Sequence, residues 1–228
     1  KKGKKTLLLD ADLGMANAHL ILGVNPNKTL DDFINNQVPF NKIVNKINNN
    51  LDFVSGGSAV HSLLNLGNVE RYNIIKSFGD LKKVYDYMII DIGAGADEST
   101  LSFMSASNKV ITVLVSEPTS FADAYSLVKA SYLEESLENF GIVWNMSNND
   151  FQAKSHFEKF QSISTKFLDV KMSYLGSLNN SKAIKEAILS RKPIVGNRNG
   201  SEINSFEKIY DNIKYLKNNN NKNTKFFE

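Results

Sequence analysis

Residues 6–17 read TLLLDADLGMAN, an apolar run that ends in Asp10 and Asp12 and passes into a glycine-containing turn. The run from Thr6 to Leu9, with lysine before it and aspartate after it, is too short for an amphipathic helix. It predicts a strand buried on both faces, the kind that parallel sheets are made of. In an open parallel sheet ligands bind off the carboxyl ends of the strands, which is where Asp10 and Asp12 stand. A lone aspartate there also serves as a helix cap or turn residue. A second segment of the same design changes the weighing: residues 87–95, YMIIDIGAG, again run apolar into Asp91 and then reach two glycines. Together the two segments predict a split acidic site for a hydrated cation, because Mg²⁺ keeps most of its waters and needs only one or two carboxylates beside substrate phosphates.

The rest of the chain alternates strand and helix. Leu51 to Val54 is a compact apolar strand that ends in Ser55-Gly56-Gly57-Ser58, read as a turn or a phosphate cradle. Residues 69–85 carry a helical stripe through Ile74, Ile75, Phe78, Leu81 and Val84. The run VITVLV at residues 110–115 predicts another strand buried on both faces, and it leads into Glu117-Pro118-Thr119-Ser120, where the proline and hydroxyls suit a helix start. A strand at residues 141–144 delivers Asn145 to the same sheet edge, and helices and one more strand follow to Leu216. This order predicts an α/β, doubly wound, mostly parallel sheet.

Composition narrows the class. At 228 residues the chain is long enough for one large α/β domain, expected over residues 1–217. The tail, residues 218–228, belongs to a chain with 29 asparagines and is expected to be disordered. A net charge of +3 gives nucleic acid no electrostatic case as the main partner. With no cysteine, disulfides and thiolate metal sites are excluded. No apolar run approaches the roughly 18 residues that span a bilayer, so the expectation is a soluble cytoplasmic protein. His19, His61 and His156 share no metal-ligand spacing, and Trp144 reads as core.

In order along the chain, Asp10-Ala11-Asp12-Leu13-Gly14-Met15-Ala16-Asn17, Asp91-Ile92-Gly93-Ala94-Gly95, the segment from Glu117 through Pro118 to Tyr125, and Asn145-Met146 resemble the MinD/ParA group of deviant Walker ATPases. Within the group they look most like the FlhG (YlxH) branch, MinD-like regulators of flagellar number and placement. The resemblance implies a P-loop NTPase-like fold, ATP/ADP and Mg²⁺ as cofactors, and an ATP-dependent homodimer. It implies flagellar assembly or regulatory proteins as partners. By position, Asp12 would orient the attacking water, with Asp10 beside it. Asp91 would hold Mg²⁺ through water, the amide of Gly95 would reach the terminal phosphate, Asn145 would contact adenine, and Pro118 and Glu117 would lie near the base.

One part of the family pattern is missing. A glycine-rich phosphate loop normally precedes the Asp-x-Asp strand by about 30 residues, within a βαβ unit. No G-x-x-x-x-G-K-[ST] segment occurs in the 228 residues, and Gly3-Lys4-Lys5-Thr6 reads as the entry to the first strand. The resemblance therefore implies that the family's first strand, loop and first helix are absent, by truncation, by loss in a nucleotide-free relative, or because another chain supplies them. An uncovered apolar groove with open strand edges and self-association is the expected consequence. The expected function is a MinD-like ATPase present as a fragment with little turnover; the alternative is a non-catalytic binding module on the same scaffold. Lys225-Phe226-Phe227 buries too little area for more than weak contact with the inner face of the cell membrane.

Overall fold

In the computed structural model, which describes residues 2–12, 16–35, 37–57, 67–194, 200–221 and 223–227, the opening strand β1 (Thr6–Ala11) is flanked by two parallel strands. A short antiparallel strand, β2 (Asn45–Lys46), pairs with β3 (Leu51–Val54), and β4 (Tyr87–Ile92) lies on the far side of β1. Among the described residues the order is β2-β3-β1-β4. Leu8 is paired with Phe53 on one side and Ile89 on the other, and Asp10 is paired with Asp91.

The chain divides into two compact units. The first comprises Lys1–Ala106, Leu189–Pro193 and Asn223–Glu228, and the second Ser107–Ile188 and Ile194–Lys222. The first unit holds the four-stranded sheet with helices α1 (Ala18–Leu22), α2 (Leu30–Ile34), α3 (Asn68–Ser77) and α4 (Glu98–Ser105). The helix expected over residues 69–85 is shorter than that. It ends at Ser77, and Gly79–Lys83 follows as a 3₁₀ turn, with Phe78 buried at the junction. Phe40, Phe78 and Phe226 meet edge to face at centroid distances of 4.8 and 5.6 Å. Such pairs add about 0.5–1.5 kcal/mol each beyond the area they bury.

Among its described residues the second unit holds three parallel strands in the order β5 (Val110–Leu114), β6 (Asn139–Ser147) and β7 (Lys171–Asn179). Helices α5 (Pro118–Glu135), α6 (Asp150–Phe167) and α8 (Ser201–Tyr215) belong to this unit. α7 (Lys182–Leu189) runs to its boundary. Ile209 and Leu216 pack with Val143 and Leu175, and Trp144 is fully buried as expected. The ammonium of Lys109 donates to the Ile213 carbonyl at 2.9 Å and to that of Leu216, which satisfies the open carbonyl end of α8.

One expectation is corrected here. β4 and β5 are not buried on both faces: Ile89 is 54% and Val113 59% exposed. In each strand alternate side chains are the exposed ones, so one face of the strand is packed and the other is not. Described residues of the tail make specific contacts. Asn219 accepts at Oδ1 from the backbone N–H groups of Glu138 and Asn139 and donates to the Asn139 carbonyl, while its own N–H donates to the Asn108 carbonyl. Phe226 is 3% exposed, and the Lys225 ammonium donates to the Ser105 carbonyl at 2.7 Å. An asparagine amide bonds a backbone as a peptide would, which is why a polar composition here does not mean a solvated segment.

Candidate functional site

Asp10 is the last residue but one of β1. Its carboxylate accepts from the backbone N–H of Ala18 at 2.9 Å and from that of Asp12 at 3.3 Å. The side chain is 1% exposed although it carries a charge. Burial pushes its carboxyl above the ordinary range, and the Asp12 charge adds to this; the two N–H donors and His19 pull the other way.

Asp91 is the register partner of Asp10 on β4, one strand spacing or about 4.8 Å away. Its residue surface is open, yet protein crowds the carboxyl enough that desolvation comes first among the causes that raise its pKa, followed by the charges of Asp10 and Asp12. A carboxylate set that resists ionisation is one that a cation would stabilise. Among the described residues no three His, Cys, Asp or Glu side chains converge as direct metal ligands. Two neighbouring carboxylates at strand ends are donors of the kind a hydrated cation takes.

Beyond Asp91 the chain passes close to Asp12. A Cβ at Gly93 would stand 3.0 Å from Asp12 Oδ1, so a larger residue would have to push that carboxylate aside. Gly95 has φ +130°, a conformation open to glycine and strained for other residues. Asp97 then caps α4, accepting from the N–H groups of Ser99 and Thr100 and from the Thr100 hydroxyl.

The structure thus brings Asp10, Asp12, Asp91 and the Gly93–Gly95 turn to one end of the first unit's sheet. The turn residues Leu13, Gly14 and Met15 lie outside the described residues, as do Ser58 and His61. Gly3-Lys4-Lys5 lies at the opposite end of β1, where Asp86 takes the Lys4 ammonium at 2.9 Å and the Lys5 N–H at 2.8 Å. The Ser55 carbonyl accepts from the Leu30 N–H, and Gly57 has φ +101° beside Thr29.

The other expected residues belong to the second unit. Glu117 is the residue before α5 and Pro118 its first residue, a position where proline's missing N–H costs nothing. Asn145 lies near the carboxyl end of β6, and its Oδ1 accepts from the N–H of Met146, which has φ 53°. Sequence reasoning missed two features. His19 sits beside Asp10 with Nδ1 buried and without a hydrogen-bond partner. In the second unit the Ser116 hydroxyl accepts from the Trp144 indole at 2.9 Å and lies 3.0 Å from His156 Nδ1. No local pattern announces either, and the second joins residues 28 and 40 apart in the chain.

The family model ParA, described as NUBPL iron-transfer P-loop NTPase, matches residues 1–214. The chain is 29% identical over 192 residues to the antiactivator FleN of Pseudomonas aeruginosa, covering 84% of this chain and 69% of that protein. It is 26% identical over 193 residues to the flagellum site-determining protein YlxH of Helicobacter pylori, covering 84% of this chain and 65% of that one. The chain thus spans about two thirds of the length of these relatives. Its fold is similar to that of the septum site-determining protein MinD of Pyrococcus horikoshii complexed with Mg-ADP, at TM-score 0.68 and 21% identity, covering 91% of this chain and 82% of that one. With the carboxylate pair at the ends of parallel strands and a family model that matches nearly its full length, the chain belongs to the ParA/MinD family of P-loop NTPases.

Proposed function

We propose that this chain is the metal and water side of an ATP site in a MinD-like regulator of flagellar number or placement, of the FleN and YlxH kind. The observation that carries the reading is the register that sets Asp10 beside Asp91 at the carboxyl ends of β1 and β4, with Asp12 next along the chain. Phosphoryl transfer is catalysed mainly by positioning and by stabilising charge, so water-orienting and metal-holding carboxylates are parts it requires. Bound Mg²⁺ would neutralise phosphate charge. Asp91 would hold that ion through water, Asp12 would orient the attacking water, and Asp10, braced by two backbone N–H groups, would keep the β1 exit in place. The Gly95 amide would face the terminal phosphate, and Asn145, Pro118 and Glu117 would receive the base. A second copy in the ATP state and flagellar assembly or regulatory proteins are the partners this reading implies, in the cytoplasm and with at most weak membrane contact.

Calorimetric titration with Mg-ATP and Mg-ADP, with Mg²⁺ alone as control, tests it. Expected is weak nucleotide binding that requires Mg²⁺ and falls at least tenfold in Asp91→Asn. Turnover should stay near background, because the 228 residues contain no G-x-x-x-x-G-K-[ST] segment to order the phosphates. Nucleotide binding indifferent to Mg²⁺ and to Asp91→Asn would sink the reading in favour of a non-catalytic module.

A further inference from the structure

Ser116 follows β5, and its side chain meets Trp144 of β6 and His156 of α6, all within the second unit. The Trp144 indole N–H donates to the Ser116 oxygen at 2.9 Å, and His156 Nδ1 lies 3.0 Å from the same oxygen. An indole nitrogen only donates, so it occupies one lone pair of the serine and leaves the hydroxyl proton to go elsewhere. His156 Nδ1 is the acceptor within reach, which puts the imidazole's own proton on Nε2. Two aromatic rings flank the imidazole, Trp144 at 5.6 Å and Phe121 at 6.5 Å between centroids. Phe121 packs in turn on the buried Phe160, so the ring that receives the serine proton is held in place.

We propose that Ser116 is a nucleophile that takes an acyl group from an activated ester or thioester, with His156 as its base. A hydroxyl within hydrogen-bond reach of a neutral imidazole is the arrangement of an activated serine. Ser131 and Ser77 show the contrast: each gives its proton to a helix carbonyl, which is no base. Ser116 is also exposed, so a reagent can reach it. In the step, Ser116 Oγ bonds to the acyl carbon while its proton passes to His156 Nδ1. The bond from that carbon to the leaving oxygen or sulfur then breaks, and the leaving group takes the proton from the imidazolium. The acyl group stays on Ser116 as an ester and the imidazole is neutral again. The Trp144 N–H stabilises charge on the serine oxygen as its proton departs. Among the described residues no carboxylate is bonded to His156, so the third member of a full triad is missing and a single acylation, not rapid turnover, is expected. The proposal rests on this cluster and not on nucleotide binding.

Exposure of the whole chain to p-nitrophenyl acetate, followed by peptide mass mapping, tests it. Ser136, exposed as Ser116 is, serves as the internal reference, so the parent chain alone gives an answer. Acetylation at Ser116 is expected to run at least about tenfold faster than at Ser136, the low end for a positioned base. His156→Gln keeps an amide that can bond the serine but removes the base. It is expected to bring Ser116 down to the rate of Ser136 at an unchanged urea midpoint. Two results overturn the proposal: Ser116 acetylated no faster than Ser136 in the parent chain, or acetylation of Ser116 undiminished in His156→Gln. Either would mean that the serine only satisfies the buried indole.

Discussion

Asp10 and Asp91 are register partners on adjacent parallel strands, and both carboxyls are held above their ordinary pKa by burial and by the charges around them. A raised acid in the folded state means that the native protein binds protons more readily than the unfolded chain. Stability attributable to the pair therefore falls as pH rises from the ordinary carboxylate value, about 3.9, through the raised native values. Asp91→Asn removes one charge of the pair. It is expected to stabilise the protein at pH 7 by about 0.5 kcal/mol, a small figure because solvent screens the open side of Asp91. Urea denaturation at pH 7 and pH 4 checks this, and the gain should shrink at the lower pH.

Asp97 works in the opposite direction. Burial raises its pKa, but the Thr100 N–H, the Thr100 hydroxyl and the Ser99 N–H together outweigh it, and the carboxyl lies below its ordinary value. Its contribution is present above the unfolded pKa and is lost as pH falls through the native one. Asp97→Ala should cost about 1 kcal/mol of stability at pH 7, and Asp97→Ser should recover much of it. Equal midpoints for Asp97→Ala and the parent chain in a urea titration would show that the cap carries no weight.

Phe226 closes the core of the first unit although it is two residues from the end of the chain. Phe226→Ala should destabilise by about 3 kcal/mol, the lower end for a buried phenylalanine because a terminal segment can shift to fill part of the space. Thermal unfolding followed by circular dichroism measures it. A loss under 0.5 kcal/mol would mean that the terminus is dispensable to that core.

Asn219 and Asn220 are neighbours with different roles. Asn219 is buried and bonds three backbone groups of residues 138–139 through its side chain, whereas Asn220 is exposed. Asn219→Ala leaves those groups without their partner and should cost about 2 kcal/mol, against less than 0.5 kcal/mol for Asn220→Ala. Equal effects in chemical denaturation would contradict the contact.

Much of the acidic site was legible locally. An apolar run ending in aspartate occurs twice, at Asp10 and Asp91, and the strand period and the parallel-sheet rule place both at one sheet end. Gly93 and Gly95 were legible as a turn, though not their reasons, the closeness of Asp12 and a φ of +130°. His19 was not legible, because the spacing of nine residues from Asp10 does not by itself bring the two side chains together. The contacts of Asn219 were not legible for a related reason: asparagine composition does not distinguish an amide bonded to water from one bonded to Glu138 and Asn139.

By itself the sequence determined the element types, the parallel α/β class and the positions of the carboxylates, since these follow from side-chain periodicity and from short-range preferences of the backbone. Tertiary structure decided which strands lie at an edge, which charges are desolvated and which residues of the tail are core. β4 reads as a strand buried on both faces, and only the packing around it reveals that Ile89 is exposed. Burial and strand pairing are set by partners far away in the chain, and a local pattern carries no record of whether those partners are present.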